Sequence, residues 1–108
     1  MAQFDVHRNP GRSRGAIPYL LVLQSAYFDD TPNRLVAPLL LGGAARDLRP
    51  PAHLPRFTVE DREVIMDALQ LQPVPRTLLG PAIATLADDD SAIRIITAVD
   101  EVISRGYG

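Results

Sequence analysis

Near the start of the chain apolar and polar residues alternate. In "QFDVH", Phe4 and Val6 fall on one face and Gln3, Asp5 and His7 on the other, the period-2 pattern of a half-buried strand. "RNPGRSRG" breaks that pattern, and Pro10, Gly11 and Gly15 mark a mobile loop. "YLLVLQ" is then a continuous apolar run of strand length, which predicts a strand covered on both faces. "DDTPN" supplies Asp, Pro and Asn, each with its own way of making a turn, and "RLVAPLLL" resumes as a strand. Pro38 within it has no N–H to give to a ladder, so it predicts an edge or a bulge. "GGAARDLRPPAHLP" is a long connection with room for a short turn of its own.

From Arg56 to Leu71 the pattern supports two readings. "TVEDREVIMDALQ" suits a helix, with Thr58 as cap, acids in the first turn, and Val64, Ile65, Ala68 and Leu69 at helical spacing. It equally suits a hairpin, "RFTV" turning through Glu60 to Arg62 into "EVIMDALQLQ", and the alternation of Leu69 and Leu71 with Gln70 and Gln72 favours a strand at that end. "PVP" closes the segment. The last element is the clearest. "DDDSAIRIITAVDEVISRG" opens with acids and closes with Arg105 and Gly106, which suits the helix dipole and a left-handed C-terminal cap. Arg94, Thr97, Glu101 and Ser104 make one narrow polar stripe, and apart from Asp100 the rest is apolar. So wide an apolar arc calls for cover on more than one side, from the rest of the domain or from a second subunit.

Composition narrows the classes. A chain of 108 residues favours one domain, with a core that needs no covalent staple. Its 10 prolines cut it into short segments and argue against a helical bundle. Without cysteine it has no disulfides, thiolate metal sites or thiol chemistry, which suits a cytoplasmic protein. A formal net charge of -2 argues against a dedicated nucleic-acid binder. All 11 basic residues are arginine, a side chain that tolerates interfaces better than lysine. The start, "MAQFDV", has neither the basic segment nor the apolar stretch of a signal peptide, and no apolar run is long enough to span a membrane.

Catalytic signals are weak. His7 and His53 lie far apart and neither belongs to a ligand-spaced motif; both are expected at the surface or against a partner. There is no nucleophile elbow and no phosphate-binding glycine loop. Gly42 and Gly43 read as a flexible turn. Asp88, Asp89 and Asp90 read as cap and dipole residues before a helix rather than as a metal cluster. No metal or cofactor is expected.

One ordered set of short motifs carries more information. Gln3-Phe4, Gln24-Ser25, Arg34 and Pro38-Leu39 occur in sequence, without gaps from Gln24 to Leu39. "LRP" at Leu48 to Pro50, "PVP" before "LLG", and a terminal helix ending near a glycine follow. The set resembles the CcdB family, the toxin half of a bacterial toxin–antitoxin pair, over nearly the whole chain. The resemblance implies a mainly β fold: an SH3-like small antiparallel barrel with a short second sheet and a C-terminal α-helix, in which Arg56 to Leu71 is a hairpin. It also implies a homodimer, the second cover that the helix calls for.

The activity it implies is poisoning without catalysis. The toxin dimer binds the A subunit of DNA gyrase and traps the enzyme on cleaved DNA, so the chain is expected not to be an enzyme. The family's gyrase-facing residues lie in the turn after Gln-Ser and at the helix end. Here Tyr27 and Phe28 occupy the turn, and Glu101, Arg105, Gly106 and Tyr107 the helix end. Gln24, Ser25, Arg34 and Pro38 are scaffold. The family's tail reads aromatic-Gly-apolar, whereas "RGYG" has Arg105 in place of the aromatic. Glu101 stands four residues before Arg105, the favourable order for a helical ion pair, and Tyr107 is then left to take the stacking role by cation–π contact. A cognate antitoxin is the second partner implied. Arg8, Arg12 and Arg14 in the early loop suit its acidic segment. Two other classes stay open: a toxin ribonuclease on the same barrel, and a diverged member that keeps dimer and antitoxin but has lost gyrase.

Overall fold

A computed structural model describes residues 2–42 and 54–103. Seven strands are described: β1 (Asp5–Arg8), β2 (Tyr19–Val22), β3 (Asn33–Leu41), β4 (Arg56–Val59), β5 (Arg62–Met66), β6 (Gln72–Pro75) and β7 (Ala82–Thr85), followed by helix α1 (Asp89–Ile103). The pairings are all antiparallel, in the order β4-β5-β3-β2-β1-β7, with β6 joined to β3 off that path. The fold is thus mainly β, a curled antiparallel half-barrel with one C-terminal helix. The short second sheet is a branch of the same ladder rather than a detached layer.

The branch explains Pro38. The first half of β3 pairs with β6 from Asn33 to Val36, and its end pairs with β5 from Leu39 to Leu41. Leu23 N–H donates to Leu35 O at 2.9 Å, so on the β2 side the hydrogen-bonded positions of β3 are Leu35, Ala37 and Leu39. Pro38 therefore turns its missing N–H toward the interval between the two partner strands, where its carbonyl accepts Asp67 N–H at 3.1 Å. A proline is tolerated in a central strand because the partner changes there.

In the region left open in the sequence, Arg56 to Met66 is a hairpin, as the resemblance implied, whereas 67–71 is turn and connection, not the strand that the alternation of Leu69 and Leu71 favoured. β4 and β5 pair from Arg56–Ile65 to Val59–Arg62. The two turn residues, Glu60 (φ 51°) and Asp61 (φ 62°), are both left-handed, the arrangement whose twist matches a hairpin. Away from glycine that backbone costs about 1 kcal/mol or more per residue, so the turn needs support from side chains.

One face of the sheet and α1 enclose the main core, which includes Val6, Tyr19, Leu21, Leu39, Val64, Met66 and Ile95. Phe4 and Val6 share it, as the alternation predicts, although Phe4 leaves the strand geometry with φ 69° to do so. The other face carries a smaller cluster of Leu20, Val22, Val36 and Leu79. This second cluster corrects the reading of His7. Opposite Leu20 in the ladder, His7 is 1% exposed, and its Nδ1 hydrogen-bonds Gly80 O at 2.8 Å. A strand covered on both faces buries its "polar" positions too. His53 lies outside the described residues.

The acids before α1 act as the sequence suggests. Asp88 caps the helix, its Oδ2 accepting Ser91 N–H at 3.0 Å, and that bond holds its carboxyl below the usual range. Asp89 and Asp90 fill the first turn. The helix buries Ser91, Ile95 and Ala98, while Ile93, Ile96 and Ile103 stay exposed. The described residues cover one side of the helix, not the wider arc.

Candidate functional site

The turn between β2 and β3 is built from its scaffold upward. Ser25 caps a short 3-10 turn, Ala26–Phe28, by accepting Tyr27 N–H. Gln24 spans the loop: its Nε2 donates to Phe28 O and Thr31 Oγ1, both at 2.8 Å, and its Oε1 accepts Leu35 N–H at 3.2 Å. Beneath them lies Arg34, whose side chain is 3% exposed. Its guanidinium donates to Thr31 O (2.7 Å), Asn33 O (3.0 Å) and Asp29 O (2.9 Å), with the Asp29 carboxylate at 3.9 Å. A buried cation that satisfies three carbonyls fixes a loop that has no strand pairing of its own.

What this frame presents is apolar. Tyr27 is 86% exposed and Phe28 52%, with ring centroids 5.0 Å apart and ring planes at 78°. That edge-to-face pair is a favourable aromatic geometry, held outward on a loop whose backbone is already ordered.

The charged loop is arranged differently. Arg8 ends β1, and it is engaged rather than waiting for a partner: NH1 and NH2 donate to the two carboxylate oxygens of Glu60 at 2.9 and 2.6 Å. Glu60 also accepts the hydroxyl of the buried Tyr19 at 2.8 Å, and the Arg62 guanidinium lies 5.9 Å from the Tyr19 ring centroid. The hydrogen bonds from Arg8 hold the Glu60 carboxyl below its ordinary range, and burial pushes the Tyr19 phenol up. This network supports the left-handed Glu60–Asp61 turn. The sequence showed Glu60 only as a turn residue, because its two partners lie 41 and 52 positions away. Arg12 and Arg14 sit on the exposed 3-10 turn Arg12–Gly15, and neither forms a hydrogen bond or ion pair with a described residue.

Glu101 lines a cleft of about 570 Å³ between α1 and Leu54–Arg56, together with Arg94 and Thr97. Arg94 is anchored there over the Phe57 ring, 4.6 Å from its centroid. Arg105, Gly106 and Tyr107 lie outside the described residues. Among the described residues no cluster of three or more metal-ligating side chains occurs, and no helix is long and apolar enough to cross a membrane.

A CcdB-family model, described as CcdB protein, matches residues 3–105. This chain belongs to the CcdB family. The CcdB family comprises toxins of toxin–antitoxin systems, and this CcdB-family chain is such a toxin. No curated protein matches the chain. Among solved structures it is similar to an endoribonuclease in complex with its cognate antitoxin from mycobacterial species, with a TM-score of 0.75, 14% identity, and coverage of 96% of this chain and 95% of that one. At that identity the likeness is one of fold, and it places the CcdB-family barrel beside that of a ribonuclease toxin.

Proposed function

We propose that this toxin acts by binding the A subunit of DNA gyrase and trapping the gyrase–DNA cleavage complex, and that a cognate antitoxin relieves it. The observation that carries the reading is the exposed Tyr27–Phe28 pair on a loop held rigid by buried Arg34. Aromatic anchors on a pre-ordered loop lose little entropy on binding and are the residues that dominate interfaces. A protein that binds one state of an enzyme tightly holds it there by mass action, so no catalytic group is called for. Glu101, Arg105, Gly106 and Tyr107 are the second half of this contact. Arg12 and Arg14, with Arg8 once released from Glu60, are the cations for the acidic antitoxin segment. The neighbour solved with its cognate antitoxin supports an antitoxin partner. The exposed Ile93, Ile96 and Ile103 support a homodimer, since covering the open half of one isoleucine is worth about 1 kcal/mol. The target places the toxin in the cytoplasm.

The test is Tyr27→Ala with Phe28→Ala. Both side chains are exposed, so stability should stay within about 0.5 kcal/mol, while gyrase binding and growth arrest are lost. Growth arrest at wild-type strength in the double variant refutes the reading. Tyr107→Ala examines the tail separately, with weaker gyrase binding expected.

The fold likeness to an endoribonuclease favours a second reading. Purified chain incubated with RNA discriminates: cleavage with no effect on gyrase replaces the first reading. Arrest absent from both assays, with antitoxin binding intact, marks a diverged member that keeps only its partner.

A further inference from the structure

On the sheet face turned away from α1, a second cavity of about 370 Å³ opens beside the early loop. Leu39 and Tyr19 point into the helix-covered core, so Leu20, Pro38 and Leu40, next to them in the strands, point the other way. These three and Ile17 form the apolar walls of the cavity. Asp67 lies on its wall and is 2% exposed. Its Oδ1 accepts Leu69 N–H at 3.0 Å. Among the described residues no donor and no cation reaches its Oδ2, and this oxygen is not among the polar atoms sealed from water. At the rim, Gln70 and Gln72 are exposed, and their side-chain amides bond no described residue. Asn9, also on the rim, is already committed to Ser13, Ile17 and Gly11.

Asp67 is buried as a residue while its Oδ2 stays open to solvent, so this oxygen is an acceptor that a donor entering the cavity can reach. The fold already spends the neighbouring backbone: Asp67 N–H goes to Pro38 O and Asp67 O accepts Gln70 N–H. What is left is one carboxyl oxygen at depth, two amide carbonyls at the mouth, and apolar walls between. We propose that this cavity is a receptor for an arginine side chain of a protein partner. A guanidinium offers several planar donors, enough for a carboxyl and two amide carbonyls together. Its methylene stem suits the Ile17, Leu20 and Leu40 walls, as long cationic side chains bury their stems along apolar surface. The volume falls within the ~300–1,000 Å³ of small-ligand pockets. The site goes beyond the gyrase reading and needs neither gyrase nor the antitoxin.

The probe is N-acetyl-arginine N-methylamide, titrated into isotopically labelled full-length protein while backbone amide signals are followed. Saturable shifts are expected at Asp67, Leu69 and Gln70, with a dissociation constant of order millimolar. The neutral citrulline analogue should bind at least about tenfold more weakly, and added salt should weaken the arginine probe. Asp67→Asn keeps an acceptor for Leu69 N–H and should weaken binding by about tenfold. Gln72→Ala, at an exposed rim position, should weaken it severalfold without perturbing the fold. Absence of saturable shifts overturns the proposal, as does equal binding of the citrulline analogue or an Asp67→Asn titration that matches wild type. Guanosine monophosphate occupying the site in preference to the arginine probe also overturns it and points to RNA.

Discussion

The turn around Tyr27 and the loop around Arg12 expose opposite chemistries. In the first, the cation Arg34 is buried under three carbonyls and two aromatic rings face solvent. In the second, Arg12 and Arg14 face solvent, and the one ordered cation, Arg8, is tied to a carboxylate on a different hairpin. The first loop is fixed by the Gln24 and Arg34 side chains and suits a partner that must be gripped in one geometry. The second exposes Arg12 and Arg14 without a partner among the described residues, a surface of the kind that an acidic segment reads by charge more than by shape. Two loops at opposite ends of β2 thus offer two kinds of surface.

The comparison can be broken most directly at Arg34. Arg34→Ala leaves the Asp29 and Thr31 carbonyls without their donor, while Asn33 O keeps the Thr31 hydroxyl, and should cost about 3 kcal/mol, read as a lower urea midpoint, and the Tyr27 and Phe28 rings should lose their fixed orientation in amide and ring NMR signals. A change under about 0.5 kcal/mol removes the claim that a buried cation builds this loop. A smaller effect is expected on the charged side. Arg12→Gln with Arg14→Gln should weaken the antitoxin by about tenfold and flatten its salt dependence, with unfolding unchanged; unaltered titrations at low salt would count against the assignment. Arg8→Gln sharpens the contrast, since it should loosen the Glu60 turn, seen as faster amide exchange at Glu60 and Asp61, while altering antitoxin affinity less than the Arg12 and Arg14 pair.

The smallest effect is in acid. The Glu60 carboxyl is held below its ordinary value of 4.5 by the hydrogen bonds from Arg8. A depressed folded-state value means that the latch contributes fully above about pH 4.5, the unfolded value, and is lost as pH falls through the folded one. The stability gap between wild type and Glu60→Gln should stay constant from pH 7 to about 5 and narrow below that. A gap that widens in acid would show that the latch does not act through the Glu60 charge.

The elements with strong local pattern were legible. The terminal helix announced its own cap in Asp88, and "YLLVLQ" its two-sided burial. The hairpin at Arg56 to Leu71 was not decided by pattern, because Val64, Ile65 and Met66 satisfy helix and buried strand alike; the resemblance chose correctly. His7 was misplaced for a related reason: alternation reports polarity, and a histidine whose Nδ1 hydrogen-bonds a backbone carbonyl can occupy a buried face. Arg34 was legible as scaffold but not as a buried hub, since the carbonyls it serves are backbone atoms with no sequence signature. The Arg8–Glu60–Tyr19 network and the unpaired oxygen of Asp67 needed the strands to be assembled, because each joins positions from separate parts of the chain.

The ladder between β1 and β7 joins Asp5 to Thr85 and Val6 to Ala84, partners about 80 positions apart. Loop closure over such a span comes late and slowly. A chain made from its N-terminus holds β1 early, with β2 on one side and an open edge on the other, until β7 has emerged. Helix α1, which covers the core from that same end, arrives later still. On the ribosome the half-barrel therefore stays unfinished until β7 and α1 have both emerged, and the free edge of β1 waits uncovered until then.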